Sequence, residues 1–274
     1  MPTQKEKAER FRDLHQGPGV LVLANVWDVV SARIVEQAGF PAIATSSAAV
    51  ANSLGYPDGE RIPRAEMLAV VKRIAAKVAL PVSADLEAGY GDRPEDMEEI
   101  ARGLIKAGAV GLNIEDGKDE SALVDVSVHV EKIKRIRDVG ESLGIHVVIN
   151  ARTDVYLAQV GEPAARLEHA VRRLNAYREA GADSLFAPCV YDAETIGKLV
   201  QAVKGPLNIL AGPGVPSVPE LQQLGVRRLS FGSWPARAAL GLFSRFAHEV
   251  REKGTFATLN GWGIPYAELN VLVR

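Results

Sequence analysis

A chain of 274 residues holds one large domain or two small ones, and 47% hydrophobic residues is ordinary for a globular protein with a sizeable core. Its 32 basic and 34 acidic residues leave a formal charge of -2, spread without a basic tail or acidic block, so no nucleic-acid-binding surface is signalled. The single cysteine, Cys189, excludes an intrachain disulfide and fits a reducing cytoplasm, MPTQKEKAERFRDLHQGPG lacks the apolar core of a signal peptide, and no run of about 18 apolar residues offers a membrane span.

Short runs rich in Val, Ile and Leu alternate with longer charged stretches of helical spacing. The first strand is expected over residues 20–26, with Asn25 and Trp27 at its end lining a pocket wall. The second, 42–47, ends in Ser46 and Ser47, which can hold an anion or satisfy local backbone groups. The loop SLGYPDGER that follows carries Asp58 among ordinary turn residues. The third strand, 81–87, ends in Asp85 and Glu87, two apart and so on one face of an extended segment. Tyr90 follows between two glycines, where its phenol can orient a carbonyl group or pack on the loop. Asp92 and Glu95 resemble a capping box, with Pro94 early in a helix that runs to Gly108. The fourth strand, 110–115, ends in Glu115 and Asp116, and the fifth, 146–152, in Arg152 with Asp154 just beyond. Arg152 can bind a substrate carboxylate or form a structural ion pair, and Asp154 reads as a capping or orienting group. The sixth strand, 184–188, precedes Cys189, read as a small buried residue. The seventh, 207–211, precedes Gly212-Pro213-Gly214, a weak likeness to a phosphate loop. After the eighth, 228–232, an amphipathic helix spans 236–252 and an apolar tail closes the chain.

Four helix-to-strand passages share a glycine: EQAGFPAIAT, IKAGAVGLNI, REAGADSLFA and QQLGVRRLSF. Glycine there can take the left-handed conformation that stops a helix. Regular βα alternation implies a parallel sheet with right-handed crossovers. Eight units in about 250 residues match a (β/α)8 TIM-type barrel over residues 1–235, with an open doubly wound sheet as the alternative. Residues 236–274 then form a C-terminal helical extension packed on the barrel or a neighbouring subunit.

Buried strands rarely end in charge unless the charge has a partner there. Several doing so point to one site at the carboxyl ends of the strands, where carboxylates suit a hard cation such as Mg²⁺. The five histidines are scattered, so a zinc site is not expected.

The stretches NVWDVVSARIVEQAGFPAIATSS, GYPDGE, SADLEAGYGD, GLNIEDG and NARTD, in this order, resemble the isocitrate lyase / phosphoenolpyruvate mutase superfamily over nearly the whole chain. The resemblance implies a (β/α)8 barrel that binds Mg²⁺, with Mn²⁺ as a substitute, and a small 2-oxo acid. It implies a cytoplasmic homo-oligomer, a dimer or tetramer, in which a C-terminal helix is exchanged between neighbours. Asp85 becomes a metal ligand, Glu87 and Glu115 act mainly through metal-bound water, and Asp58 lies beside metal and substrate. Ser46, Ser47, Ala48 and Trp27 bind substrate with Asp85, while Arg152 takes its anionic end and Tyr90 stands among the catalytic groups. The chain also departs from the family. The Cys-containing loop of isocitrate and methylisocitrate lyases is replaced by DGKDESALVDVS, where Lys118 can reach the site when a lid closes. The lyases' Pro-Glu-Ala after the sixth strand is Pro188-Cys189-Val190, and their Asn-Met-Thr-Glu-Phe-Gly type run after the seventh is LAGPGVPS. The reaction expected is metal-assisted C–C cleavage of an oxaloacetate-like dicarboxylate through an enolate. A phosphonopyruvate-type mutase or hydrolase, an isocitrate-like lyase without its cysteine, and a non-catalytic 2-oxo acid binder are the alternatives.

Overall fold

The computed structural model describes every residue except Pro94, Asp119 and Glu120. Eight strands form a closed barrel: β1 (Leu21–Val26), β2 (Ile43–Thr45), β3 (Val82–Asp85), β4 (Gly111–Glu115), β5 (Val148–Arg152), β6 (Ser184–Phe186), β7 (Leu207–Leu210) and β8 (Arg228–Ser230). Each runs parallel to its neighbours, and β8 closes on β1. The helices are α1 (Gln4–Leu14), α2 (Val29–Gln37), α3 (Ser47–Ser53), α4 (Arg64–Lys77), α5 (Asp96–Lys106), α6 (Val126–Ser142), α7 (Arg166–Glu179), α8 (Ala193–Ala202), α9 (Val218–Leu224), α10 (Trp234–Lys253) and α11 (Tyr266–Leu272). Apolar residues such as Ile43, Leu112, Ile149, Leu185 and Ile209 join buried helix positions such as Ile74, Leu104, Ile136 and Leu174 in one core between sheet and helices.

The expected TIM-type barrel is present, and every expected strand contains an observed one. Gly39, Gly108, Gly181 and Gly225 take φ of +85°, +89°, +109° and +92°, the left-handed region that ends a helix at little cost for glycine. Two local readings are corrected. The second strand stops at Thr45, because the Ser46 side chain accepts a hydrogen bond from the Ala49 N–H and caps α3. Asp92 does not cap α5: the cap position is Glu95, already right-handed at φ -63° and ψ -30°, without a side-chain cap. Arg93 instead donates its N–H to Asp96 at 3.1 Å and pairs its guanidinium with the same carboxylate at 2.9 Å. Pro94, the other element of that reading, lies outside the described residues.

Register places the inward side chains in levels. Asp85, Asn113, Asn150 and Ser184 are successive partners across β3 to β6. Glu115, Arg152, Phe186, Asn208 and Arg228 follow one another across β4 to β8. At the opposite end, Phe11 of α1 is fully buried with Leu21, Leu23, Ala44 and Val148. A Cβ on Gly111 would stand 2.6 Å from the Phe11 ring, so glycine there admits the plug. Burying such a phenylalanine is worth roughly 2–3 kcal/mol.

Beyond the barrel, α10 buries only Ala236 of its own residues among those described, and Phe243, Phe256, Trp262 and Tyr266 are exposed. α11 returns to α2, where Arg33 Nε donates to the Leu272 carbonyl at 2.8 Å. No helix among the described residues is long and apolar enough to cross a membrane.

Candidate active site

The strand ends deliver the expected charged residues to two adjoining cavities. The inner one, about 230 Å³, is lined by Ser46, Ser47, Ala48, Asp58, Asp85 and Arg152 among others, and its far wall includes Pro188 and Cys189. The outer one, about 440 Å³, shares Ser47, Asp58 and Arg152 and adds Glu87, Glu115, Lys118 and Asp154. A larger groove, about 940 Å³, lies at the other end of the barrel beside α1 and the start of β1, away from these charges.

Asp85 is held on both carboxylate oxygens. Ser47 donates its backbone N–H at 3.0 Å and its hydroxyl at 2.7 Å to Oδ2, and Asn113 Nδ2 donates to Oδ1 at 2.9 Å. Asn150 Nδ2 donates in turn to Asn113 Oδ1 at 2.9 Å. An ionised carboxylate has about four acceptor directions, so one on Asp85 is left. Thr45 Oγ1 accepts the Asp85 N–H at 2.9 Å, fixing the backbone beneath. Asn25 Oδ1 accepts from the Phe231 and Gly232 N–H groups, tying the end of β1 to the loop after β8.

Arg152 is ion-paired on both sides. Nη1 meets Glu115 at 2.7 Å, while Nε and Nη2 meet Asp154 at 2.5 and 3.1 Å. Burial opposes its charge, but Glu115, Asp154 and Asp85 more than offset this and raise its pKa. Asp154 therefore orients the arginine, as its sequence position suggested. A Cβ on Gly117 would stand 2.8 Å from Asp154 Oδ2, so glycine keeps that carboxylate in place.

The remaining acids carry a surplus of negative charge. Burial pushes the Asp58 carboxyl above the usual carboxylate range, and Asp85 adds to the effect. Burial and Asp85 push Glu87 up to about 7. Burial also raises Glu115 well above its ordinary value, with Arg152 opposing. Asp85 and Glu87 do not share a strand face as expected: β3 ends at Asp85, and Glu87 sits at φ +51°. Its carboxylate instead accepts the Glu60 N–H at 2.5 Å and the Tyr90 hydroxyl at 3.1 Å. Tyr90 is thus engaged with Glu87 and lines neither cavity, and Trp27, whose N–H donates to Ser31 Oγ at 3.1 Å, lines neither as well. Gly212-Pro213-Gly214 is likewise outside both linings. Cys189 is half-buried at φ +63° on the inner cavity rather than in the core.

Lys118 lines the outer cavity on a loop pinned at its base. Its N–H donates to the Ala122 carbonyl at 3.0 Å. Behind that loop Asp116 is fully buried and accepts from Thr153 Oγ1 at 2.7 Å, the Asp154 N–H at 2.9 Å, Arg173 at 3.0 Å and the Tyr177 hydroxyl at 2.6 Å. Arg173 also binds the Val124 carbonyl at 3.0 Å. Asp116, expected among the acids of the site, lines neither cavity and serves this brace instead, and Arg173, Tyr177, Asn113 and Asn150 had no role in the expectations from sequence. A signal existed: Ser83, Asn113 and Asn150 each stand two residues before Asp85, Glu115 and Arg152, hence on the same strand face.

A hard cation fits this donor set. The acids are all oxygen donors, several are raised by burial and then by one another's charge, and Asp85 keeps an open direction. No group of three or more His, Cys, Asp or Glu among the described residues is arranged to hold a metal ion by itself.

Residues 11–251 match the family model described as phosphoenolpyruvate phosphomutase. An uncharacterized protein of Mycobacterium tuberculosis is 36% identical over 260 residues, 94% of each chain. Oxaloacetate decarboxylase of Bradyrhizobium diazoefficiens is 28% identical over 270 residues, 94% of this chain and 89% of that one. The crystal structure of a candidate lyase/mutase from Burkholderia cenocepacia J2315 superposes with a TM-score of 0.91 at 40% identity, covering 98% of this chain and 95% of the other.

Proposed function

The chain belongs to the phosphoenolpyruvate phosphomutase family, within the PEP mutase/isocitrate lyase superfamily of lyases and mutases, and from that premise we propose that it is a Mg²⁺-dependent lyase that decarboxylates or cleaves a small oxaloacetate-like 2-oxo dicarboxylate. The observation that carries the reading is the Asp85 carboxylate, fixed by Ser47 and Asn113 with one direction open, beside acids raised by burial and mutual repulsion. Asp85 would hold the cation directly, with Asp58, Glu87 and Glu115 acting on its waters. The ion supplies Lewis-acid stabilisation of negative charge developing on the substrate's carbonyl oxygen.

The protein's own groups do the rest. Ser46, Ser47 and Ala48 line the inner cavity; with both Ser47 donors held by Asp85, the Ser46 hydroxyl and the Ala48 N–H are the groups we assign to receive the carboxylate next to the carbonyl. Arg152 spends three of its five N–H groups on Glu115 and Asp154, leaving two for the substrate's far anionic group in a fixed plane. A guanidinium held beforehand loses little freedom on binding, which lowers the cost of orienting the substrate. Lys118 borders the outer cavity beside Asp58 and is the group we assign to return a proton to the enolate. The relative named oxaloacetate decarboxylase supports the C–C assignment, and the absence of the lyases' cysteine loop from the sequence argues against a tricarboxylate of isocitrate type.

The test is Mg²⁺-dependent release of pyruvate from a panel of 2-oxo dicarboxylates. Oxaloacetate or a close analogue is expected to turn over, and Asp85→Ala to lose roughly 10³-fold or more in kcat. Turnover of the panel unaffected by Asp85→Ala would sink the assignment. Phosphorus NMR of a phosphonopyruvate incubation separates C–P chemistry, the second reading, which the family model's description favours. Calorimetric binding of oxalate with no turnover at all would replace both with a 2-oxo acid binder.

A further inference from the structure

Arg228 has an unusual setting. It lies on β8 inside the barrel, only 2% exposed, and forms no ion pair among the described residues. Nη1 donates to His15 Nε2 at 3.2 Å, while His15 Nδ1 lies 2.8 Å from the Phe11 carbonyl. The imidazole therefore carries its proton on Nδ1 and meets the guanidinium as a neutral acceptor. Burial and Arg228 push His15 down to about 4, in keeping with that tautomer. The C-terminal end of α1, which positions His15, favours a cation but supplies no full counter-charge.

Among the described residues five buried side-chain atoms have no hydrogen-bond partner, the two ring nitrogens of His129 and three others: Arg228 Nε, Asn150 Oδ1 and Ser83 Oγ. All three residues line the inner cavity. The two asparagine orientations follow from Asp85, since a carboxylate can only accept. Asn113 must present its Nδ2 to Asp85, its Oδ1 then accepts from Asn150 Nδ2, and Asn150 Oδ1 is left needing a donor. Arg228 Nε–H is a donor needing an acceptor.

We propose that one buried water joins these three atoms and that Arg228 is thereby a positioning residue for Asp85. The water accepts from Arg228 Nε–H and donates to Asn150 Oδ1 and Ser83 Oγ, three bonds, the usual number for a buried water. The line then runs Arg228, water, Asn150, Asn113, Asp85, every N–H pointing toward the carboxylate. A cation at the floor polarises the line and holds Asp85 in one rotamer without blocking its open direction. The relay's meaning for catalysis rests on the role proposed above for Asp85; the relay itself does not.

The test therefore reads neither metal nor turnover. A crystal structure of the unliganded protein is expected to show a water within 3.2 Å of all three atoms, about the usual hydrogen-bond limit. Side-chain amide resonances of Asn113 and Asn150, followed with ¹⁵N-asparagine, are expected to move upfield in Arg228→Met and to return toward their original positions in Arg228→Lys. A merely structural arginine would leave the amides unmoved. Density without the water, or amides that do not respond to Arg228→Met, overturns the proposal. Should Arg228→Met fail to fold, the water density and the Arg228→Lys spectrum still decide.

Discussion

At Arg152 the fold shows the ion pairs that were one of the two readings open from sequence. The arginine is paired, and the question becomes what the pairing does. Asp154→Ala would leave a buried guanidinium with only Glu115, and breaking a buried pair costs about 3–5 kcal/mol. We expect a lower Tm by calorimetry together with a roughly tenfold or greater loss in kcat/KM, because the fork loses its plane. Glu87 carries a pH dependence of definite sign. Its folded pKa, pushed up to about 7 by burial and Asp85, lies above its ordinary value of 4.5. Its contribution to stability is therefore full below about 4.5 and is lost as pH rises through about 7. Without divalent cation, Glu87→Gln should raise Tm at pH 8 and change it little at pH 4.5; equal shifts at both would contradict the assignment. Asp85, Glu87, Glu115 and Arg152 were legible because charge interrupts apolar runs. Arg228 was not, since RRLSF begins a strand with two arginines and only register shows which one turns inward.

At the scale of elements, the β4 and β5 loops act as one unit through Asp116. Its four donors come from the loop after β5 and from α7, and Arg173 reaches across to the base of the Lys118 loop. Arg173→Met removes a charge-assisted bond to a fully buried carboxylate. The expected cost is about 3 kcal/mol, read as a Tm loss of roughly 10 °C. A shift within 2 °C would show that Tyr177 and Thr153 suffice. Helix stops were legible from glycine, because a left-handed residue leaves a one-letter mark. The start of α5 was not: Asp92 and Glu95 carry the letters of a capping box, yet the chain turns helical at Glu95 and Arg93 neutralises Asp96 instead. Likewise Ser46 and Ser47 looked like the end of a strand, and one of them instead starts a helix and the other grips Asp85.

For the molecule as a whole, the eightfold alternation was readable because both periods, strand and helix, are strong and the handovers repeat. How the tail is covered was not, since an apolar stretch packs equally well on its own barrel or on another copy. Phe243, Phe256, Trp262 and Tyr266 all face solvent, with Phe243 64% and Trp262 72% exposed. Large apolar side chains exposed together along one tail mark an interaction surface. We propose that a second copy covers it, giving a dimer or tetramer. Multi-angle light scattering should report that assembly, and Phe243→Glu with Trp262→Glu should shift it toward single chains; unchanged mass in that variant would speak against this surface. Finally, the Phe11 stopper seated over Gly111 makes the barrel a blind vessel. On the proposed reading, substrate and both products then share the one end of the barrel where the two cavities lie. Departure order then sets the inhibition pattern: the fragment that leaves last shares the emptied site with fresh substrate and is the one expected to compete with it.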